Sequence, residues 1–141
     1  MTFEEKIQVV IATMTNPPNF LGGDWWKANQ LVETVQMPAV LYINPVNGTM
    51  DIVANLSFDS PNVLIAFLDK VILDANFSDT AKCVSDMKLL MKEFIYRANA
   101  SGYFHVIKNI RYEVTYDRLD ANLCGVILET IIKEREGTKL C

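Results

Sequence analysis

The chain has 141 residues, the size of one ordinary domain, and we expect residues 1–141 to form a single domain. Hydrophobic residues make up 50% and charged residues 21%, which is typical of a folded globular chain and excludes a disordered one. The net charge is −4, and the basic residues are scattered among acids, which argues against nucleic-acid binding. No apolar run is long enough for a membrane-spanning helix and no signal-peptide pattern is visible, so we expect no membrane association.

The N-terminal residues predict a helix that begins with a capping box. Thr2 and Glu5 have the spacing at which each side chain can accept a hydrogen bond from the other residue's backbone N–H. Apolar residues then recur at helical spacing up to Met14. The sequence Asn16-Pro17-Pro18-Asn19 ends the helix, because proline lacks the backbone N–H that a helix needs.

A change of period from Met37 onward predicts strands. The run 38–43 is β-prone, and Asn47-Gly48 is typical of a two-residue hairpin turn, with 49–56 as the returning strand. A turn is expected at 59–62, where Asp, Ser, Pro and Asn follow one another. The apolar run 63–68 fits either a buried strand or a helix, and periodicity does not decide between them.

The clearest predicted helix lies near the middle of the chain. Ser78 or Asp79 can cap it, and apolar residues from Val84 to Ala98 form a continuous stripe with charged residues opposite. Gly102 follows as the residue that ends such helices in the left-handed conformation.

The last third predicts a long β-hairpin over Ile107–Lys133. Residues 110–117 alternate between apolar and polar, and Gly125 inside the returning strand indicates a bulge or a close backbone approach. Residues 134–141 are polar and are expected to form a short mobile tail. The predicted fold is therefore α+β, an antiparallel or mixed sheet whose long C-terminal hairpin packs against two helices.

Few residues are available for chemistry. His105 is the sole histidine and lies in a strand-like stretch, where it is expected to be an ordinary strand residue. No glycine-flanked serine or cysteine indicates a nucleophile, and no pair of closely spaced cysteines indicates zinc. We therefore expect no enzymatic activity, no catalytic residue, no metal and no cofactor.

The three cysteines are Cys83, Cys124 and Cys141. An odd number at wide spacing makes a disulfide framework unexpected, and a reducing compartment is the default. Cys83 and Cys124 are interpreted as small core residues.

Trp25 and Trp26 are the largest apolar side chains in the chain and follow a Gly-Gly pair. They can serve as core residues, or one of them can be offered to a partner, because adjacent residues point in different directions in both helices and strands. Tryptophan is enriched at protein interfaces, so both alternatives stay open.

The order of the predicted elements resembles that of tail-completion, tail-terminator and neck-ring proteins of tailed bacteriophages, including crAss-like phages of gut Bacteroidales. The resemblance is carried by the helix Thr80–Ala100 and by the hairpin segments Ile107–Asp117 and Asn122–Glu129. It implies a structural virion protein of the head–tail connector or tail terminus, assembled in the bacterial cytoplasm as a ring of six or twelve copies. The implied partners are further copies and neighbouring portal, connector or tail proteins, with DNA passing through the ring without specific binding.

A long terminal hairpin leaves an exposed edge unless a neighbour covers it, and a repeated head-to-tail contact would do so in a ring. The candidate interface residues are Trp25, Trp26, Asn47, Gly48, Tyr112, Tyr116 and Gly125. Two alternatives remain. One is a small cellular adapter or ligand-binding module with an aromatic pocket near Trp25 and Trp26, and the other is an enzyme that uses carboxylates or Cys83.

Overall fold

The computed structural model describes residues 1–23, 36–70, 77–115 and 123–140, and these ranges contain two helices and seven strands. The fold is α+β, as predicted, with a mixed sheet packed against the helices. In chain order the elements are α1 Phe3–Ala12, β1 Asn19–Gly23, β2 Ala39–Ile43, β3 Gly48–Val53, β4 Leu56–Lys70, α2 Phe77–Ser101, β5 Arg111–Thr115, β6 Leu123–Ile131 and β7 Thr138–Lys139.

Helix α1 begins at the predicted capping box. The Glu5 backbone N–H donates to Thr2 Oγ1 at 3.2 Å, and the Thr2 N–H donates to Glu5 Oε2 at 2.9 Å. These bonds satisfy two donors that the first turn of a helix leaves without partners. The capping box therefore determines where α1 starts, and the apolar stripe of α1 determines which face of the helix packs on the core.

Helix α2 has 25 residues and confirms the predicted apolar stripe. It packs across β6 and β4 and also contacts α1. Gly102 ends it with a φ of +80°, the left-handed conformation that glycine adopts without steric cost. The buried residues of the stripe are Val84, Met87, Met91, Phe94 and Ala98.

The sheet has the strand order β1-β2-β4-β6-β5, and β3 and β7 are added along the first part of β4. Strands β1 and β2 are parallel, and every other described pair is antiparallel. Within the described ranges, β3 and β5 each have a partner on one side only. Strands β1 and β7 also have one described partner each, so the sheet presents unpaired edges at β1 and β3 on one side of β4 and at β5 and β7 on the other.

Strand β4 is 15 residues long and replaces the predicted turn at 59–62. Its first part, 56–61, pairs with β3, and its second part pairs with β2 and β6. The Pro61 carbonyl accepts from the Ile132 backbone N–H at 3.3 Å, and because proline has no N–H to donate in return, only one hydrogen bond of the ladder is lost at this position. Strand β4 continues through Pro61. Residues 59–62 therefore form a strand although their sequence is typical of a turn.

The predicted hairpin turn at Asn47-Gly48 is wrong. Strands β2 and β3 do not pair with each other, because each pairs with a different part of β4. The actual hairpin joins β3 to β4 through Ala54 and Asn55, with Ala54 at a φ of 56°. Gly48 instead allows close packing, since a Cβ at this position would lie 2.7 Å from Pro61 Cα.

The run 63–68 is a strand buried on both faces, which resolves the ambiguity of its unbroken apolar pattern. Ile65 and Phe67 belong to the cluster between the sheet and the helices. Ala66 and Leu68 belong to a second cluster on the opposite face. The centre of the sheet is therefore apolar above and below.

The predicted long hairpin over 107–133 is not confirmed. Strands β5 and β6 are antiparallel neighbours, but their pairing extends only from Arg111–Glu129 to Thr115–Gly125. The expected turn at 117–122 lies outside the described residues. Strand β6 also pairs with β4 along its whole length, so it is an interior strand, and only β5 offers an edge.

The segment 134–140, expected as a mobile tail, is hydrogen-bonded to the sheet. Glu134 is buried, and its backbone N–H donates to the Asp59 carbonyl at 2.9 Å. Its carboxylate accepts from Lys6 Nζ at 2.9 Å in an ion pair whose side chains are only 5% and 6% exposed. Strand β7 then pairs with the start of β4. A partner 128 residues away therefore holds this polar segment against the fold.

Cys83 on α2 and Cys124 on β6 form a disulfide, which corrects the expectation of two unlinked core cysteines. Their Cα atoms are 6.3 Å apart, within the range that a disulfide spans. Cys124 is completely buried. The link joins the central helix to the sheet at a sequence separation of 41 residues.

Candidate functional site

The four predicted interface residues that the structure describes, Asn47, Gly48, Tyr112 and Gly125, are not gathered at one place. Asn47 and Gly48 lie at the exposed start of β3, and Tyr112 lies half-exposed on β5 at the other side of the sheet. Trp25, Trp26 and Tyr116 lie outside the described residues, as does the suggested aromatic pocket beside the two tryptophans.

Gly125 has a role inside the sheet rather than on its surface. It is buried, and it pairs with Leu68 on one side and Thr115 on the other. A Cβ at this position would overlap the carbonyl oxygen of Phe67. The predicted close backbone approach is thus confirmed, and it occurs between β6 and β4 of the same chain.

Among the described residues, strand β3 carries several exposed apolar side chains close together. Every residue of this strand is exposed, so both of its faces meet solvent. Met50 is 55% exposed, Ile52 59% and Val53 61%, and Val46 just before the strand is 94% exposed. We call β3 with its partner segment 56–61 the β3 arm. An exposed, apolar strand edge of this kind is a template for pairing with another chain.

The β3 arm carries two carboxylates. Asp51 on β3 is exposed, and Asp59 on the paired segment is half-buried. Asp59 lines a cavity of about 370 Å³ together with Glu4 of α1, Asn47 and Met50. The arm therefore combines apolar side chains with carboxylates, and a contacting surface would have to be apolar and basic.

Near the carboxylates of Glu4 and Asp59 lies the buried phenol of Tyr42. Its hydroxyl has no hydrogen-bond partner among the described residues, and the side chain is 1% exposed. Burial, together with the negative charges of Glu4 and Asp59, raises the pKa of Tyr42 well above its ordinary value. The phenol is thus held in its neutral form.

Strand β5 forms the opposite edge of the sheet. Tyr112 is 49% exposed and Val114 37% exposed, and both lie on the face that carries the helices. Lys88 Nζ of α2 lies 4.8 Å from the centre of the Tyr112 ring, a cation–π contact. This contact orients Tyr112 at the edge without burying it.

A groove lies beside this edge, between the segment 105–109 and the end of β6. It has a volume of about 490 Å³, and its lining includes His105, Lys108 and Lys133 together with the apolar Val106 and Ile131. A second groove of about 400 Å³ continues it toward Arg111 and Glu129 and shares Asn109, Thr130 and Ile131 with the first. We call the two together the basic groove.

His105 lies in the basic groove as an exposed side chain. Its backbone N–H donates to the Lys133 carbonyl at 2.9 Å, so the residue forms part of the wall. The lining of the first of the two grooves, where His105 lies, contains an amide, two lysines, a threonine and aliphatic residues but no carboxylate or cysteine, and the carboxylate of Glu129 lines only the second groove. This lining offers none of the acid–histidine–nucleophile geometry that general-base catalysis requires.

In the part of the chain that the structure describes, no three histidine, cysteine or acidic residues form a group that could hold a metal ion. No helix among these residues is long and apolar enough to cross a membrane. In the described ranges, the features that a partner could contact are therefore the unpaired strand edges and the basic groove.

Sequence reasoning missed the residues that define this surface. The exposure of β3 on both faces depends on its position in the sheet, which its own pattern does not reveal. Lys6 did carry a signal, since it falls within the apolar stripe between Phe3 and Val10 and would need a buried partner. Lys108 and Lys133 are 25 residues apart, so only the fold brings them together.

No family model matches the chain, and a search of the curated proteins found no significant match.

Proposed function

We propose that this protein is a ring-forming structural subunit of a virion, at the head–tail connector or tail terminus of a tailed phage, around the DNA channel. The single observation that carries the proposal is the β3 arm, whose outer edge is unpaired among the described residues and whose apolar side chains are exposed. Edges of this kind are normally shortened, charged or covered in monomers. Their exposure here indicates that another subunit covers them.

The position of the edges supports a ring. The β3 edge and the β5 edge lie on opposite sides of β4, so they form two different surfaces of one chain. A contact between different surfaces is heterologous, and it closes into a ring when the rotation per subunit divides a full turn. Burying the exposed parts of Met50, Ile52 and Val53 would contribute on the order of 1 kcal/mol each to such a contact.

The virion setting comes from the resemblance in element order, and two properties of the chain agree with it. The net charge of −4 suits a channel along which DNA moves without being held. The segments that carry the resemblance are built around helix α2 and the adjacent strands β5 and β6. The proposed partners are further copies of the chain and the neighbouring portal, connector or tail proteins.

Native mass spectrometry and negative-stain electron microscopy of the full chain test the ring directly. We expect closed rings of six or twelve copies with a central channel. A protein that stays monomeric from low to high micromolar concentration would overturn the proposal.

Two serine substitutions at equally exposed positions test whether the contact between subunits is on the β3 arm or elsewhere on the surface. Ile52→Ser is expected to abolish the rings, because it removes an apolar side chain from the arm. Leu89→Ser is the matched control, since Leu89 is 60% exposed on α2 and Ile52 is 59% exposed. Rings that survive Ile52→Ser and are lost in Leu89→Ser would move the interface away from β3.

The gene neighbourhood tests the virion setting separately. We expect genes for portal and tail-tube proteins to flank this one. A setting among metabolic or regulatory genes of a cell would count against a virion role even if rings form.

A further inference from the structure

We infer that, in the proposed ring, the β3 arm of one copy lies in the basic groove of the next copy. The inference rests on the proposed function and goes beyond it by naming the two surfaces that meet. It commits to one occupant of the groove, which is a second copy of this chain.

The groove is held open by hydrogen bonds on its outer wall. Asn99 of α2 accepts from the Ile107 backbone N–H at 2.7 Å and donates to the Ile107 carbonyl at 3.2 Å. The Thr130 hydroxyl donates to the Asn109 carbonyl at 3.2 Å. These bonds fix the segment 105–109 beside β6 without strand pairing, so space remains between the two. The shape of the groove is thus fixed by hydrogen bonds within the fold.

The apolar parts of the two surfaces are complementary. Val106 is 60% exposed and Ile131 58% exposed at the groove, similar to the exposure of Met50 and Ile52 on the arm. Both pairs would lose their contact with water if the arm entered the groove. Neither pair is covered by the residues that the structure describes.

The charges of the two surfaces are opposite. The arm carries Asp51 and Asp59, whereas the groove is lined by Lys108, Lys133 and Arg111. Such a pairing attracts the correct partner surface and opposes contacts between two arms or two grooves. The lining also includes Glu129, described above, and a carboxylate opposes binding of a phosphate backbone. The lining therefore favours a mixed protein surface over nucleic acid.

The two surfaces also lie at opposite sides of one hydrogen-bonded layer. Strand β3 pairs with 56–61 of β4, whose other side bonds to the segment 132–134 through the Pro61 and Asp59 carbonyls. That segment in turn bonds to 103–105, the start of the groove wall. A chain cannot place its own arm in its own groove across this layer. A head-to-tail neighbour can, and each copy then uses both surfaces once.

Disulfide trapping tests this contact. The variant carries Ile52→Cys and Ile131→Cys in a Cys141→Ser background, so that one new thiol lies on the arm and the other at the groove. Mild oxidation is expected to give a ladder of covalent oligomers on a denaturing gel up to the full ring. The matched control replaces Ile131→Cys by Leu89→Cys, at a position of similar exposure on α2, and is expected to give no ladder.

A charge reversal gives an independent readout. Asp51→Lys alone and Lys108→Glu alone are each expected to raise the concentration needed for half-assembly by at least tenfold. The double variant restores opposite charges and is expected to return within about threefold of the unmodified chain. All these positions are exposed, and circular dichroism verifies that each variant folds.

The outcomes separate the two proposals. If the unmodified chain stays monomeric, the ring itself is refuted. If rings form but the Ile52–Ile131 ladder is absent and the double charge variant does not recover, the arm-in-groove contact is refuted while the ring stands. Fluorescence anisotropy with a labelled DNA duplex tests whether nucleic acid occupies the groove instead. If the duplex binds, and Lys108→Glu removes this binding while assembly is unchanged, the groove belongs to nucleic acid and the inference is overturned.

Discussion

The buried ion pair between Lys6 and Glu134 allows a sharp test of what holds the two ends of the described chain together. Lys6→Met keeps the length of the side chain and removes its charge. The Glu134 carboxylate then stays buried at 6% exposure without its cation, and the Glu136 carbonyl loses a donor at 3.3 Å. Leaving one partner of a buried pair uncompensated costs about 3–5 kcal/mol.

Urea unfolding followed by circular dichroism measures this loss. With a slope of about 2 kcal/mol per M for a protein of this size, the midpoint should fall by about 2 M. All variants are compared at one protein concentration, because assembly adds to the apparent stability. Lys92→Met, at an exposed position of α2, is the control and should change the free energy of unfolding by no more than about 0.5 kcal/mol.

The double variant Lys6→Met, Glu134→Leu decides the physical reason. It removes both charges and fills the space with apolar groups, so it should recover most of the stability and can exceed that of the unmodified chain. A loss below about 1 kcal/mol in Lys6→Met would refute the claim that the pair is buried and structurally required. A double variant as unstable as the single one would refute the explanation by uncompensated charge.

Three further substitutions or treatments test the core. Gly125→Ala should lower the free energy of unfolding by about 2–3 kcal/mol or more, because the backbone of β4 must move to make room for the methyl group. Gly102→Ala is the control: its methyl group faces open space, so only the φ of +80° is unfavourable and the cost should be about 1 kcal/mol. Urea unfolding measures both. Reducing the Cys83–Cys124 disulfide should cost about 2–4 kcal/mol for a loop of this length, and a double alanine variant should not respond to reductant. Tyr42→Phe should be neutral or stabilising by about 1 kcal/mol at pH 7, since it removes an unpaired buried hydroxyl. Because the pKa of Tyr42 is raised in the fold, stability is lost as pH rises above about 10, where the unfolded phenol ionises, and Tyr42→Phe should reduce that loss in unfolding curves at alkaline pH.

Both helices could be predicted from local pattern, because their signals lie within a few residues. The capping box of α1 joins Thr2 to Glu5, and the stripe of α2 repeats at every turn. The α+β class followed from the change of period after Met37. Local chemistry determined these features, so local reasoning was sufficient.

The sheet could not be predicted in the same way, because its pairing is set by contacts distant in sequence. Asn47-Gly48 is favourable for a hairpin, but Gly48 is used for close packing on Pro61 within a longer antiparallel pair. The disulfide joins two residues that are 41 positions apart in the sequence, and the ion pair joins two that are 128 positions apart. No local pattern distinguishes Cys83 from an ordinary core cysteine.

The candidate interface stays a prediction, and the structure shows only where its described residues lie. Asn47, Gly48 and Tyr112 do lie at strand edges, whereas Gly125 lies inside the sheet. The basic groove was not foreseen, because its lysines are dispersed in a chain that is acidic as a whole. Net charge averages over the surface, and only the fold shows that Lys108, Lys133 and Arg111 line adjoining grooves.

Strand β4 has a mechanical consequence. Its first part belongs to the β3 arm, and its second part is paired with β6 over Asn62–Lys70 and with β2. The hydrogen bonds of such a ladder run perpendicular to the strand, so a pull along β4 loads the nine pairs with β6 together instead of opening them one after another. Tension applied to the arm would therefore be resisted in shear by the centre of the sheet, and the subunit could carry load through a single continuous strand.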